Sequence, residues 1–328
     1  MQCDRALTIA FLSMFLAGNM AAADMRIVTA AILVESGQAA PVIELRSVGE
    51  DGLLRRLSVS GWTIAMTRDK PVDRGRRVIL TFSATPYDAH SSRRMYSEGS
   101  RARELEFDDA AVAARAGYRM REGEHASTEA ALIAGQEILG SRAPRDVRDR
   151  WRTPYAGVQI AQRVRYVTAE DPYAGRIEGI DLIAATEVYS GPRMWSRTTL
   201  LQSAGVAAGP LHLRQSMAAM YGTNLDTVSA FLVGGSWDTL GPMSVYGTRY
   251  AEFRLDKCAI LSGGADYTLR SWELGVRASV MRAPRLRASG TMFEISRRAA
   301  GIHFAAAAGK SQGHTTFAAS VSAAIFRP

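Results

Sequence analysis

The chain has 328 residues, 47% hydrophobic and 22% charged, and its formal net charge of +8 comes almost wholly from arginine, since only Lys70, Lys257 and Lys310 are lysines. That balance excludes a disordered chain and a bundle of apolar transmembrane helices, although a mean hydropathy near zero is compatible with a membrane barrel, in which only alternate residues meet lipid. The arginines are spread without a local cluster or an aromatic platform, which argues against nucleic acid as a partner and fits a compositional bias of the genome.

Residues 1–23 read as an export signal. A short basic start ends at Arg5, Ala6 to Gly18 form an apolar run too short to span a bilayer, and Asn19-Met20-Ala21-Ala22-Ala23 offers a small-residue cleavage site before Asp24. This predicts a Gram-negative-type exported protein whose remaining residues, 24–328, form one unit. Cys3 lies in the signal, so Cys258 alone would survive, leaving neither an internal disulfide nor a thiolate metal site.

Arg26 to Val48 is strand-like but noisy. Leu53 to Thr67 is long enough for one tilted strand whose apolar phase shifts at Gly61, the signature of a bulge. Asp69 to Gly75 reads as a polar loop, and Val78, Leu80, Phe82 and Ala84 then alternate with polar residues. Asp88 to Ser100 is polar and aperiodic. In the next strand Val112, Ala114, Ala116, Tyr118 and Met120 oppose Arg115, Arg119 and Arg121. Ala126 to Leu139 suits a helix as well as a strand, and the arginine-rich stretch 141–154 reads as an exposed loop.

Alternation is regular from there on. Val158, Ile160, Val164 and Tyr166 oppose Gln159, Arg163 and Arg165, and Leu211, Leu213, Met217, Ala219 and Tyr221 oppose His212, Arg214 and Ser216. The clearest pattern, Leu225 to Arg282, reads as four successive strands. Ala251, Phe253 and Leu255 oppose Glu252 and Arg254; Ala265, Tyr267 and Leu269 oppose Asp266, Thr268 and Arg270; Trp272, Leu274, Val276, Ala278 and Val280 oppose Glu273, Arg277 and Ser279. One face is oily and the other charged in nearly every strand. We therefore expect an all-β fold, a transmembrane antiparallel β-barrel of about 14 strands within a range of roughly 12 to 16. A soluble sandwich would also alternate, with shorter strands and a bulkier common core.

Lumen-lining residues on this reading are Arg115, Arg119, Arg121, Arg163, Arg165, Arg214, Glu252, Arg254, Asp266, Arg270 and Arg277. Acidic residues on neighbouring strands favour cross-strand ion pairs over an anion-selecting pore. Catalytic chemistry has only a weak foothold in Asp88-Ala89-His90-Ser91, where the carboxylate could orient the imidazole, and a polar loop without function explains the same residues. His303 and His314 lack a nearby acidic pair and make a poor metal site, so neither cofactor nor metal is expected.

The order Phe231-Leu232-Val233-Gly234-Gly235, a loop to Tyr246-Gly247-Thr248-Arg249, then Glu252-Phe253-Arg254-Leu255 and Gly264-Ala265-Asp266-Tyr267 resembles the barrel of the bacterial surface antigen family. That family contains outer-membrane protein assembly factors and two-partner secretion transporters. The resemblance implies a strand ending in Gly-Gly that leads into a long inward loop. The chain departs from the family in two respects: its loop, Leu240 to Gly247, lacks the family's tip arginine, and strands are expected almost directly after the signal, where the family usually carries periplasmic domains.

The reading is a monomeric outer-membrane barrel, non-enzymatic, with a transport, secretion or assembly role or a porin-like channel. Its partners would be outer-membrane lipid and small solutes or an exported client. The alternative is a barrel hydrolase acting on lipid or peptide at the cell surface through His90. Heat-modifiable gel mobility of the membrane fraction tests the barrel: the unheated protein migrates apart from the boiled one, and equal mobility without membrane association would refute it.

Overall fold

The computed structural model describes residues 26–35, 38–49, 51–60, 63–85, 96–97, 100–101, 109–139, 154–171, 176–191, 194–225, 229–235, 243–248, 252–299, 302–311 and 314–323. Their strands are β1 (Arg26–Glu35), β2 (Gln38–Val48), β3 (Leu54–Ser60), β4 (Thr63–Asp73), β5 (Arg76–Thr85), β6 (Tyr96–Ser97), β7 (Ser100–Arg101), β8 (Asp109–Glu122), β9 (Ala126–Leu139) and β10 (Tyr155–Asp171). The second half adds β11 (Arg176–Ser190), β12 (Trp195–Ala208), β13 (Leu211–Thr223), β14 (Phe231–Val233), β15 (Phe253–Leu255), β16 (Lys257–Leu269), β17 (Trp272–Ala283), β18 (Leu286–Ala299), β19 (Ile302–Ser311) and β20 (His314–Ala323).

Sixteen of these described strands form one closed antiparallel barrel, in the order β1 to β5, β8 to β13 and β16 to β20. Closure runs through β1 and β20, where Ala30 pairs with Ala323 and Glu35 with Ala318. A closed sheet has no edge, so each ladder amide finds a partner without water, which is the condition for crossing lipid. The sandwich alternative is thereby ruled out.

Burial follows the period of two. Along β17 Gly275, Arg277, Ser279, Met281 and Ala283 are buried while Leu274, Val276 and Val280 are exposed, and β19 alternates in the same way from Ile302 to Ser311. The exposed set is apolar: Leu132, Ile160, Leu213, Leu261, Val276, Phe293 and Phe317 stand outside. Exposed large apolar side chains on every second residue would be a liability in water and are what a lipid-facing wall requires.

The two ends differ. At one, connections are short, as at 49–53, 74–75, 123–125, 209–210 and 270–271; at the other, the chain runs through 86–108, 140–154 and 224–256 between barrel strands. Outer-membrane barrels place short turns on the periplasmic side and long loops outside. Tight turns are made locally: Gly49 N–H donates to the Leu53 carbonyl at 2.9 Å, the Asp51 carboxylate accepts from Leu53 N–H at 3.1 Å, and Arg270 reverses β16 into β17 with φ of 55°.

The sheet corrects several sequence expectations. The phase shift at Gly61 is a hairpin rather than a bulge, because β3 and β4 pair with Ser60 opposite Thr63. The supposed loop after Asp69 is strand as far as Asp73, and Ala126–Leu139 is strand throughout. Leu225 to Arg282 supplies two barrel strands, not four, since β14 and β15 are three residues each and pair with one another. Three residues rise about 10 Å, far short of the hydrocarbon core. The signal peptide, Asp88, His90 and the arginine-rich stretch 141–153 lie outside the described residues.

The outward wall makes a depth-dependent prediction. Val276, paired with Ala265 and Phe293 near mid-strand, should cost about 2–4 kcal/mol when replaced by arginine, whereas Ala259→Arg near the loop end should cost about 0–1 kcal/mol. Reversible denaturant unfolding from lipid vesicles reads the difference, and equal costs would contradict a lipid-facing Val276.

Candidate functional site

The barrel interior is the candidate site. Between β13 and β16 the chain turns inward: Phe231 pairs with Leu255, Leu232 with Arg254 and Val233 with Phe253, and Gly234 and Gly235, with φ of 122° and 118°, redirect it after β14. A side chain rarely adopts those dihedrals, so the Gly-Gly step is what lets a strand pass directly into the inward segment. Phe231, Val233 and Val245 are buried with Met220, Ile260 and Met281, inward residues of β13, β16 and β17. The described parts of the segment thus pack against the wall through apolar side chains.

The loop tip sits on β17, β18 and β19. Tyr246 N–H donates to the Ser279 hydroxyl at 2.8 Å, and the Tyr246 ring is buried with Met292, Ala305, Ala307 and Ala318. Thr248 holds the turn closed, its hydroxyl donating to the Val245 carbonyl at 2.6 Å and accepting from Gly235 N–H at 3.1 Å. Contact is backbone to backbone: a Cβ on Gly290 would stand 1.7 Å from the Tyr246 carbonyl oxygen, and one on Gly247 would stand 2.4 Å from the Lys310 carbonyl carbon. No atoms can approach so closely, so only glycine at these positions allows the tip to lie flat on the wall.

Toward the short-turn end the lumen carries charge. Asp266 on β16 is fully buried, with Arg214 Nε at 3.5 Å, Arg277 Nη2 at 3.6 Å and His212 Nδ1 at 3.9 Å. Arg277 also bonds Glu294 at 2.9 Å, while Arg176 at the start of β11 reaches across the mouth to Glu273 at the start of β17, 2.5 Å away. Strands β12, β13 and β16 separate these two in the wall, so the pair is a chord across the opening. Either side of it lies a cavity of about 260 Å³, one bordered by Glu178 and His212 and the other by Arg270 and Arg298. Three guanidiniums and three carboxylates cancel, which keeps low-dielectric burial tolerable.

A second network covers β8 to β12. Arg115 bonds Glu129, and Gln159 at 2.6 Å; Arg119 bonds Glu129 at 2.8 Å; Gln159 donates to Glu187 at 2.6 Å, and Glu187 takes Arg197 at 2.6 Å. Above it Tyr189 stacks on Trp195 with ring centroids 4.0 Å apart. Arg163 and Arg165 both approach Asp181, at the short-turn side of the same wall.

Arg115, Arg119, Arg163, Arg165, Arg214, Asp266 and Arg277 therefore lie on the face opposite the exposed apolar side chains, each within an ion-paired group. The others sit elsewhere. Arg121 is exposed beside the β8–β9 turn and donates to the Glu124 carbonyl at 2.9 Å, Arg270 occupies a turn, and Glu252 and Arg254 belong to the inward segment, not to a barrel strand. Sequence reasoning missed Arg176 and Glu294. Glu294 shares the phase of Met292 and was recoverable from alternation, whereas nothing local marks Arg176 as reaching across the barrel.

No known family's sequence model matches the chain, and no match to a characterised protein was found by sequence. Solved structures do match by shape. The barrel of BamA from Haemophilus ducreyi, in a form lacking POTRA domains 1–3, superposes with a TM-score of 0.65 at 8% identity, covering 91% of this chain and 70% of that one. The CdiB proteins of Acinetobacter baumannii and Escherichia coli superpose with TM-scores of 0.60 and 0.61 at 10% and 12% identity, over 91% and 92% of this chain. This chain spans 59% and 63% of those two proteins. The chain has the closed antiparallel barrel fold that these structures share.

Proposed function

We propose that the chain is an outer-membrane transport, secretion or assembly barrel of the surface antigen type, whose resting lumen is obstructed by its own inward segment. The observation that carries this reading is the burial of Val245, Tyr246 and Thr248 against β17 to β19. A wide porin lumen would leave such residues wet. The superposable barrels of BamA and CdiB support the same reading, and a role for lipid as the surrounding medium follows from the apolar outer wall.

How such a barrel would work follows from what holds the tip. Burial of one valine and one tyrosine supplies about 1.5–3 kcal/mol each, and the Tyr246–Ser279 hydrogen bond adds about 1 kcal/mol. That is enough to keep the lumen closed at rest and little enough for a client or solute to displace. The paired charges on the wall would then present a polar, near-neutral path. A small solute or an exported polypeptide fits such a path better than a strongly selected anion. The protein would act as a monomer, because closure of the sheet within one chain leaves no edge for a partner strand.

Planar-bilayer conductance of the wild type and Gly290→Val tests the obstruction. Valine suits a strand, but its Cβ occupies the position of the Tyr246 carbonyl, so the tip must leave while β18 stays paired. The wild type should conduct weakly and the variant strongly, with heat-modifiable mobility retained in both. Equal conductance, or a wide-open wild type, would overturn the plugged reading.

A further inference from the structure

We propose that the outer wall of β16 to β19, at the loop end, is a binding site for the phosphate groups of a phosphorylated lipid in the leaflet that meets the long loops. The outward-facing residues of these strands can be read in register. On β16 they run from Lys257 through Leu261 to Leu269, on β17 from Trp272 through Val276 and Val280 to Arg282, on β18 from Arg287 through Phe293 to Arg297, and on β19 from Ile302 through Phe304 to Lys310. The carboxylates of this sector, Asp266, Glu273 and Glu294, all face inward. Its outer face therefore holds cations and no acid. Four of the five, Lys257, Arg282, Arg287 and Lys310, stand at the loop end, where the apolar run stops on each strand.

Two of the chain's three lysines are in this group. Arg282 and Arg287 are exposed and directly opposite one another across the β17–β18 hairpin, which closes at once through Pro284 and Arg285. Like charges in direct cross-strand register repel. The short hairpin also keeps them at the edge of the apolar band instead of carrying them out into solvent on a long loop. Lys257, Arg282 and Lys310 have no ion-pair partner among the described residues; Lys257 sits over the Tyr221 ring at 5.9 Å. A phosphate between Arg282 and Arg287 replaces repulsion with charge-assisted hydrogen bonds, and headgroup depth is where lipid phosphates lie.

The test uses the full chain folded in detergent, its barrel checked by heat-modifiable mobility, with lipid retention read by native mass spectrometry. Failure here leaves the transport reading untouched, since conductance is not measured. Diphosphorylated lipid A should be retained, and its dephosphorylated form should not. Arg282→Ser and Lys310→Ser should each weaken retention by roughly fivefold, and the double Arg282→Ser, Arg287→Ser change by more. Arg282→Lys should keep most of it. Removing equal charge elsewhere on the outer wall, by Arg68→Ser with Lys70→Ser on β4, should change nothing. Undiminished retention by the Arg282, Arg287 double variant, equal retention of the dephosphorylated lipid, or equally tight binding of inorganic phosphate would each overturn the proposal.

Discussion

The constraint on which everything else depends is the requirement that no backbone amide meet hydrocarbon unpaired. A β-chain satisfies it only by meeting itself, and pairing of Ala30–Glu35 with Ala318–Ala323 is where this one does so. Once the sheet is closed, each strand has an inside and an outside, and the side-chain alternation has to respect both. The outside is dictated by lipid and can be filled by any apolar residue. The inside must then absorb the charges that the strands carry at the depth of the apolar band, and outward charges are left to its edges.

That asymmetry explains what could be read from the residues. Outward Leu261, Val276 and Phe293 and inward Asp266 and Arg277 follow from a period of two and require no tertiary information. Strand count was harder. A two-residue hairpin and a one-residue bulge both invert the phase of an apolar pattern, so the step at Gly61 looks the same for either. The difference lies in whether β3 and β4 pair with each other, which is a long-range fact only the sheet records. The β14–β15 hairpin misled for a related reason: Phe253 and Leu255 alternate with Arg254 as a membrane strand would, and burial in a protein-filled lumen selects the same residue types as burial in lipid.

The inward segment was legible as a resemblance before it was legible as chemistry. Gly234-Gly235 announced a change of direction, and positive φ at both bears that out. What the pattern could not reveal is the receiving surface. Gly290 and Gly309 sit on different strands, far from the loop in sequence, and read as ordinary strand glycines until the tip lies against them. A site made by the absence of side chains leaves almost no trace in a single sequence.

The placement of charge bears on how the segment could move. In the family this barrel resembles, the loop tip carries an arginine; here Tyr246, Gly247 and Thr248 carry none. The buried carboxylates Asp266 and Glu294 take their cations from the wall instead, through Arg214 and Arg277. Withdrawing a charged tip would strand an acid in a low-dielectric interior, at a cost of several kcal/mol. The described tip residues Tyr246, Gly247 and Thr248 bring no side-chain charge, so the ion pairs of Asp266 and Glu294 with Arg214 and Arg277 are made within the wall itself and can serve its stability.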